Sequence, residues 1–274
     1  MKILFTGQRG FLGRELIPHL KEQGHDVTSS NVDYSDETNL EFFFRNRDRF
    51  DFIIHAAVRG GRRIREDIAD DFHNNVRMFE VLASQGIPMI TFCSGAVYGR
   101  QEDIYCLKED QVGIRIPTDY YGFAKYLIAH RARQLNHVYT LRFFNVFGPT
   151  SQKDMFTSAN IKNYINKREI VVFKDKYMDF FGISDTKKVL DLYLEKAKEL
   201  PNDINLVYGT TQTLSEVGEM INDLSDYKVP IDVLERGMDR SYCGSGRTLS
   251  TLDIKLDGLQ HELNNVYEYM RKWK

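Results

Sequence analysis

Cysteine is scarce in this chain. Its three thiols among 274 residues, Cys93, Cys106 and Cys243, show neither paired nor metal-like spacing, which argues against a disulfide framework and fits a reducing, cytoplasmic compartment. Long apolar runs are missing too. No stretch approaches the ~18 residues needed to span a bilayer, and the chain passes from Met1-Lys2 straight into Ile3-Leu4-Phe5 without a signal-peptide pattern. Charge of one sign is also lacking: 37 Lys and Arg stand against 39 Asp and Glu, so nothing draws the whole molecule to nucleic acid or to an anionic membrane. The arginine-rich stretches at 45–49 and 59–65 carry no interleaved aromatics, so neither a nucleic-acid polymer nor a membrane is expected as a partner. There are no internal repeats. What is present is ordinary globular material, 42% apolar and 28% charged, enough for one large α/β domain or one domain with a smaller lobe.

Short apolar runs alternate with amphipathic stretches of helical length. Ile3–Thr6, Val27–Ser29, Phe52–Ala57, Met89–Ser94 and Tyr139–Phe144 read as strands; without polar alternation they suit a parallel sheet covered on both faces. Leu12–Gln23, Asn39–Arg45, Asp71–Gln85 and Tyr121–Leu135 read as helices between them, with Pro18 expected to kink the first. This alternation predicts an α/β fold, a Rossmann doubly wound parallel sheet with a small C-terminal α/β substrate lobe. The expected division is 1–150 for cofactor and 151–274 for the lobe, with the chain free to cross back. In the later part Asn160–Lys167, Asp185–Glu199 and Ser215–Leu224 read as helices, and Glu169–Phe173, Ile204–Gly209 and Pro230–Leu234 as strands.

Directly after the first strand comes Thr6-Gly7-Gln8-Arg9-Gly10-Phe11-Leu12-Gly13. A glycine turn entering a helix lets the backbone approach a pyrophosphate, whose charge then sits at the helix N-terminus. Strand before and helix after is the context that gives this motif meaning. An acidic residue at the end of the second strand selects NAD by bonding the ribose 2′-hydroxyl and repelling a 2′-phosphate. Here Asn31 holds that place, with Ser30 and Arg9 available to a 2′-phosphate but Asp33 two residues on. The charge logic favours NADP(H) and leaves NAD(H) open.

Tyr121 and Lys125 stand four residues apart, which on a helix puts them on one face. A lysine ammonium there favours the phenolate, so the phenol becomes a proton donor and acceptor suited to a carbonyl oxygen. Ser94, ending the fourth strand, would polarise the same oxygen. Tyr120 is a rival, but its i+4 partner is Ala124. A Tyr–x₃–Lys pair alone is more often a plain helix-surface pair; the preceding Pro117-Thr118-Asp119-Tyr120 and the upstream Ser94 reverse that preference. His55 ends an apolar strand with no other ligand type at metal spacing, so it reads as a cofactor-pocket or core residue and no metal is expected.

Together these segments resemble the extended short-chain dehydrogenase/reductase family of nucleotide-sugar enzymes. The matching segments are Gly7/Gly10/Gly13, His55-Ala56-Ala57, Ser94-Gly95-Ala96-Val97-Tyr98-Gly99, Tyr121/Lys125, Arg142-Phe143-Phe144-Asn145-Val146-Phe147-Gly148-Pro149, and Asp179-Phe180 with Ile183 and Asp185. The resemblance implies cofactor contacts at Gly7, Arg9, Gly10, Phe11, Leu12, Gly13, Ser30, Asn31, Asp33, Tyr34, His55, Ala56, Ala57, Tyr121 and Lys125. It implies a nucleotide-diphosphate sugar as substrate, met by Arg59, Gly60, Asn75, Ala96, Asn145 and Arg247, and a homodimer. The family's phosphate-binding arginine before Asp-Phe is Met178 here, so the diphosphate would need other cations, among them Arg62, Arg63, Arg65, Lys174 and Lys176. The chain is most similar to the GDP-fucose synthase type, which epimerises with a cysteine two residues past the serine and a histidine in the lobe. Here Ala96 replaces that cysteine, and no histidine lies between Pro149 and Asp185. Dehydratases of the family carry Asp-Glu after the catalytic hydroxyl residue, where this chain has Gly95-Ala96. Plain reduction of a keto-sugar is therefore the expectation. An NAD-dependent sugar epimerase and a non-catalytic cofactor-binding scaffold or sensor are the alternatives.

Overall fold

In the computed structural model the described residues are 1–29, 36, 38, 41, 44, 45, 50–61 and 66–272. The cofactor candidates Ser30, Asn31, Asp33 and Tyr34, the arginines Arg62, Arg63 and Arg65, and most of the helix expected over 39–45 lie outside them. The chain packs as two units. One comprises Met1–Gln101, Glu109–Arg142 and Tyr193–Ile204, the other Glu102–Lys108, Phe143–Leu192 and Asn205–Lys274.

The largest sheet is built from β1 (Lys2–Thr6), β2 (Asp26–Thr28), β3 (Phe52–His55), β4 (Met89–Ser94), β6 (Val138–Phe143) and β11 (Asp203–Leu206). Its order is β11-β6-β4-β3-β1-β2, the parallel, doubly wound arrangement expected from the sequence. β2 pairs in parallel on one side of β1 and β3 on the other. The end of β1 is therefore the switch point where the strand order reverses, the position at which open α/β sheets bind ligands.

Helix α1 (Phe11–Glu22) runs through Pro18, and α2 (Ala69–Ala83) and α3 (Tyr120–Ala132) follow. Ile53, Met78, Phe79, Leu82, Met89, Ile128 and Val138 form one apolar core with Leu4. Each such side chain contributes about 1.5–3 kcal/mol on full burial.

In the second unit β5 (Ile104–Leu107), β9 (Tyr177–Met178), β12 (Gln212–Thr213) and β14 (Tyr242–Gly244) make a four-stranded sheet. β7 (Val146–Phe147) pairs with β10 (Phe181–Gly182), and β8 (Ile170–Asp175) with β13 (Ile231–Met238). Helix α4 (Phe156–Ile165) begins a turn before the expected Asn160, because Phe156 is drawn to Phe180, with ring centroids 5.9 Å apart. α5 (Ile183–Lys196) and α6 (Leu214–Asn222) lie near their expected places, whereas α7 (Leu259–Lys272) is an element beyond those expected from the strand–helix alternation. Leu259, Leu263, Val266 and Tyr267 recur with helical period and supply a buried face to this unit's core. Short pairing partners such as β5, β9 and β12 carry too few residues to show a pattern.

Candidate active site

The glycine turn is held by sterics. Gly7 has φ +83°, and a Cβ added there would stand 2.6 Å from the carbonyl carbon of Ala56. A Cβ on Gly13 would stand 2.5 Å from the Gly7 carbonyl oxygen. Only hydrogen fits where β1, the loop after β3 and the start of α1 converge. Gly10 is the N-cap of α1 and provides no side-chain cap, so no capping side chain competes for the first-turn N–H groups. That arrangement suits a pyrophosphate and fits the nicotinamide dinucleotide that the motif implies. Phe11, Leu12, Ala56 and Ala57 line the turn half-buried, and Arg9 is exposed.

Thr6 and His55 close the floor of the turn. The Ala57 N–H donates to the Thr6 hydroxyl oxygen at 3.2 Å, which leaves the hydroxyl hydrogen for His55 Nδ1 at 2.8 Å. Burial, with the nearby Lys125 charge second, pushes the His55 pKa down to about 3. A neutral imidazole tied to Thr6 is a structural floor, in keeping with the pocket-or-core expectation. Thr6 carries no motif signal of its own, and its role appears only through its two partners.

The catalytic candidates sit on three adjoining pieces. Ser94 ends β4, half-buried, and its Oγ accepts the Ala96 N–H at 3.2 Å to open a short 3₁₀ helix, Gly95–Tyr98. Helix α3 places Tyr121 and Lys125 one turn apart, with Lys125 Nζ 5.9 Å from the Tyr121 ring centroid. Lys125 is buried; its ammonium donates to the Phe92 carbonyl at 2.8 Å, and burial lowers its pKa. Tyr120 is exposed, consistent with its lesser claim.

Asp119 and Gly122 shape the first turn of α3, and Gly61 meets the Tyr121 ring. Asp119 caps α3, its Oδ1 accepting the Gly122 N–H at 2.7 Å and the Arg100 guanidinium at 2.6 Å. A Cβ on Gly122 would lie 3.1 Å from the Ala96 carbonyl, so glycine there brings the helix close to the turn after Ser94. Gly61, at φ +70°, has its Cα against the ring itself: an added Cβ would stand 2.7 Å from Tyr121 Cε2.

The substrate-side candidates differ in what the structure leaves available. Asn75 is buried, and its amide spans the backbone of Arg59: Oδ1 accepts the Arg59 N–H at 2.8 Å and Nδ2 donates to the Arg59 carbonyl at 2.8 Å. It fixes the loop carrying Arg59, Gly60 and Gly61, which Asp67 also ties by accepting the Gly61 N–H at 2.6 Å. Ala96 has no exposed surface. Arg59 is exposed and Gly60 partly so. In the second unit Asn145 Nδ2 donates to the Asp179 carbonyl at 3.0 Å, and Arg247 is exposed. Asp179 itself is buried, accepts the Gly244 N–H at 2.8 Å, and has its pKa pushed up by burial to about 7.

A glycine turn at the switch point with a serine–tyrosine–lysine set defines the class: an NAD(P)-dependent enzyme of the extended short-chain dehydrogenase/reductase type. The chain belongs to the NAD dependent epimerase/dehydratase family, which matches residues 3–207. Among its relatives, an uncharacterized UDP-glucose epimerase of Bacillus subtilis is 26% identical over 277 residues, 84% of each chain. A GDP-mannoheptose C4 reductase of Campylobacter jejuni with NADP bound superposes with TM-score 0.81 at 16% identity, over 98% of each chain. A GDP-L-fucose synthetase of Naegleria fowleri bound to NADP gives 0.79 at 17% identity, over 99% of this chain and 93% of that one. At these identities the structural likeness carries the fold, and other proteins of this fold are complexes with NAD. The fold thus accommodates both nicotinamide cofactors. Among the described residues no helix is long and apolar enough to cross a membrane, and no cluster of His, Cys, Asp or Glu could hold a metal.

Proposed function

We propose that this protein is an NADPH-dependent ketoreductase acting on a nucleotide-linked keto-sugar, of the 4-keto-6-deoxy class. The observation that carries the reading is the pairing of Tyr121 with a buried Lys125 anchored to Phe92, beside an Ala96 that offers no thiol. The cofactor, when bound, supplies hydride to the carbonyl carbon. Tyr121 gives its phenolic proton to the carbonyl oxygen, and Ser94 polarises that oxygen with its hydroxyl. The Lys125 charge stabilises the phenolate left behind. With alanine at 96 and no histidine between Pro149 and Asp185, no acid–base pair is supplied to exchange a proton beside the ketone, so the sugar is reduced without epimerisation.

In this reading residues 1–150 serve the cofactor and 151–274 chiefly the substrate, the protein is a homodimer, and Asn75 and Ala96 shape the site. Arg59, Gly60, Asn145 and Arg247 meet the nucleotide sugar. Support for NADPH comes from Arg9 in the glycine turn and from NADP in the similar reductase and synthetase structures. The name borne by the Bacillus subtilis relative favours a second reading, an epimerase holding NAD⁺.

Titration with NADPH and NADH, then nicotinamide absorbance with a panel of nucleotide-4-keto-sugars, separates the two. Oxidation of NADPH that depends on one keto-sugar supports the reductase. Protein that arrives with NAD⁺ bound and never consumes reduced cofactor overturns it. Tyr121→Phe is expected to lower turnover about 10²–10⁴-fold with cofactor affinity retained; unchanged function would point to the scaffold alternative.

A further inference from the structure

Arg100 follows the family segment that ends at Gly99 and belongs to none of the motifs. Its guanidinium carbon lies over the Tyr121 ring, 5.7 Å from the centroid, close to the 5.9 Å of Lys125 Nζ. The same guanidinium is ion-paired at 2.6 Å with Asp119, whose carboxylate caps the helix that begins beside Tyr121. Two cations thus address one phenol, from two different elements.

We propose that Arg100 is a positioning residue for the proposed reaction: it holds the Tyr121 ring over the first turn of α3 and, as a second cation beside Lys125, favours the phenolate. The inference rests on the reductase reading only for its consequence in turnover. Its physical content is attraction between a guanidinium and an aromatic face, which grows when the phenol ionises.

The charged groups facing Tyr121 can be named element by element. Lys125 comes from its own helix, Asp119 from the helix cap, and Arg100 from the segment after the 3₁₀ turn. On the loop whose Gly61 meets the ring, Asp67 binds the Gly61 N–H and Asp71 lies close to Gly60. His55, beneath Lys125, is neutral. Arg100 and Asp119 have 43% and 34% of their side-chain surface exposed, so solvent screening makes the effect modest, and Asp119 opposes part of it.

The test is a pH titration of the phenolate ultraviolet band in the protein without ligands, each variant referenced to its own Tyr121→Phe partner. Arg100→Gln is expected to raise the Tyr121 midpoint by about 0.5–1 pH unit, the low end of the effect of a nearby charge. Arg100→Lys is expected to restore most of the shift. Asp119→Asn keeps a good helix cap and removes the opposing charge, so it is expected to lower the midpoint. The pH dependence of turnover should move in the same sense for each variant. Midpoints unchanged in both Arg100→Gln and Asp119→Asn, with the helix still folded by circular dichroism, overturn the proposal. Because the phenolate titration needs no substrate, failure of the keto-sugar assay leaves this result standing, and failure here leaves the Tyr121→Phe test intact.

Discussion

The two units bury opposite kinds of ionisable group. Among the described residues of the first, the buried basic side chains are His55, Lys125 and Arg142, and Asp71 is the buried carboxylate. In the second, Asp179, Asp185 and Glu262 are all acids. Burial penalises the charged form in both, and the units answer it differently. Arg142 stays charged because Asp203 lies 2.6 Å away and the Tyr98 ring and hydroxyl face it. His55 stays neutral, its Nδ1 paired with the Thr6 hydroxyl. Asp185 is satisfied by the Asp257 and Gly258 N–H groups, the Tyr208 hydroxyl and Lys188. Asp179 has the Gly244 N–H and no ion-pair partner among the described residues, and its pKa rises. A buried base and a buried acid kept neutral by the same force should leave opposite marks on the pH dependence of stability.

The largest effect is expected from breaking the paired charge. Asp203→Ala leaves the Arg142 guanidinium buried without its carboxylate and should cost about 3–5 kcal/mol, read as a lower urea midpoint. A loss under half that size would mean that Arg142 finds another partner.

Next come the two neutral groups, and their signs sharpen the contrast. The Asp179 pKa is raised from 3.8 to about 7. The folded state holds a proton that the unfolded state releases, so stability falls as pH rises through that window, by at most about 1.4 kcal/mol per pH unit. Asp179→Asn should flatten this slope and stabilise the protein above pH 7. The His55 pKa is lowered from 6.5 to about 3. Its contribution is present above the unfolded value and is lost as pH falls toward 3, so His55→Gln should remove acid sensitivity instead. Denaturation followed from pH 4 to 8 would decide both, and parallel slopes in the two variants would refute the comparison.

The smallest change in stability is expected at Gly61. Alanine at φ +70° costs about 1 kcal/mol, but its methyl would press on the Tyr121 ring, so turnover should fall far more than the melting temperature. Equal losses in both would make the loop a purely structural contact.

Much of this was legible beforehand. The glycine spacing, the strand before it and the Tyr121/Lys125 pair are local patterns, and local patterns are what periodicity and sterics write into a sequence. The C-terminal helix is written in the helical period of Leu259, Leu263, Val266 and Tyr267, outside the strand–helix alternation. The roles of Thr6, Gly61 and Arg100 were not legible. They depend on partners brought together by folding: Thr6 meets His55 across 49 residues, and Gly61 and Arg100 meet a tyrosine on another element.

The sequence by itself determined the parallel sheet, the glycine turn at its switch point, the shared helical face of Tyr121 and Lys125, and the alanine two residues past Ser94. These follow from residue type and spacing along one element. Tertiary structure alone decided that Asn75 is spent on the Arg59 backbone, that His55 is neutral, that Asp179 is pushed toward neutral pH, and that a second cation stands over the Tyr121 ring. Desolvation and Coulomb forces act through space, and only the folded chain sets which groups share that space.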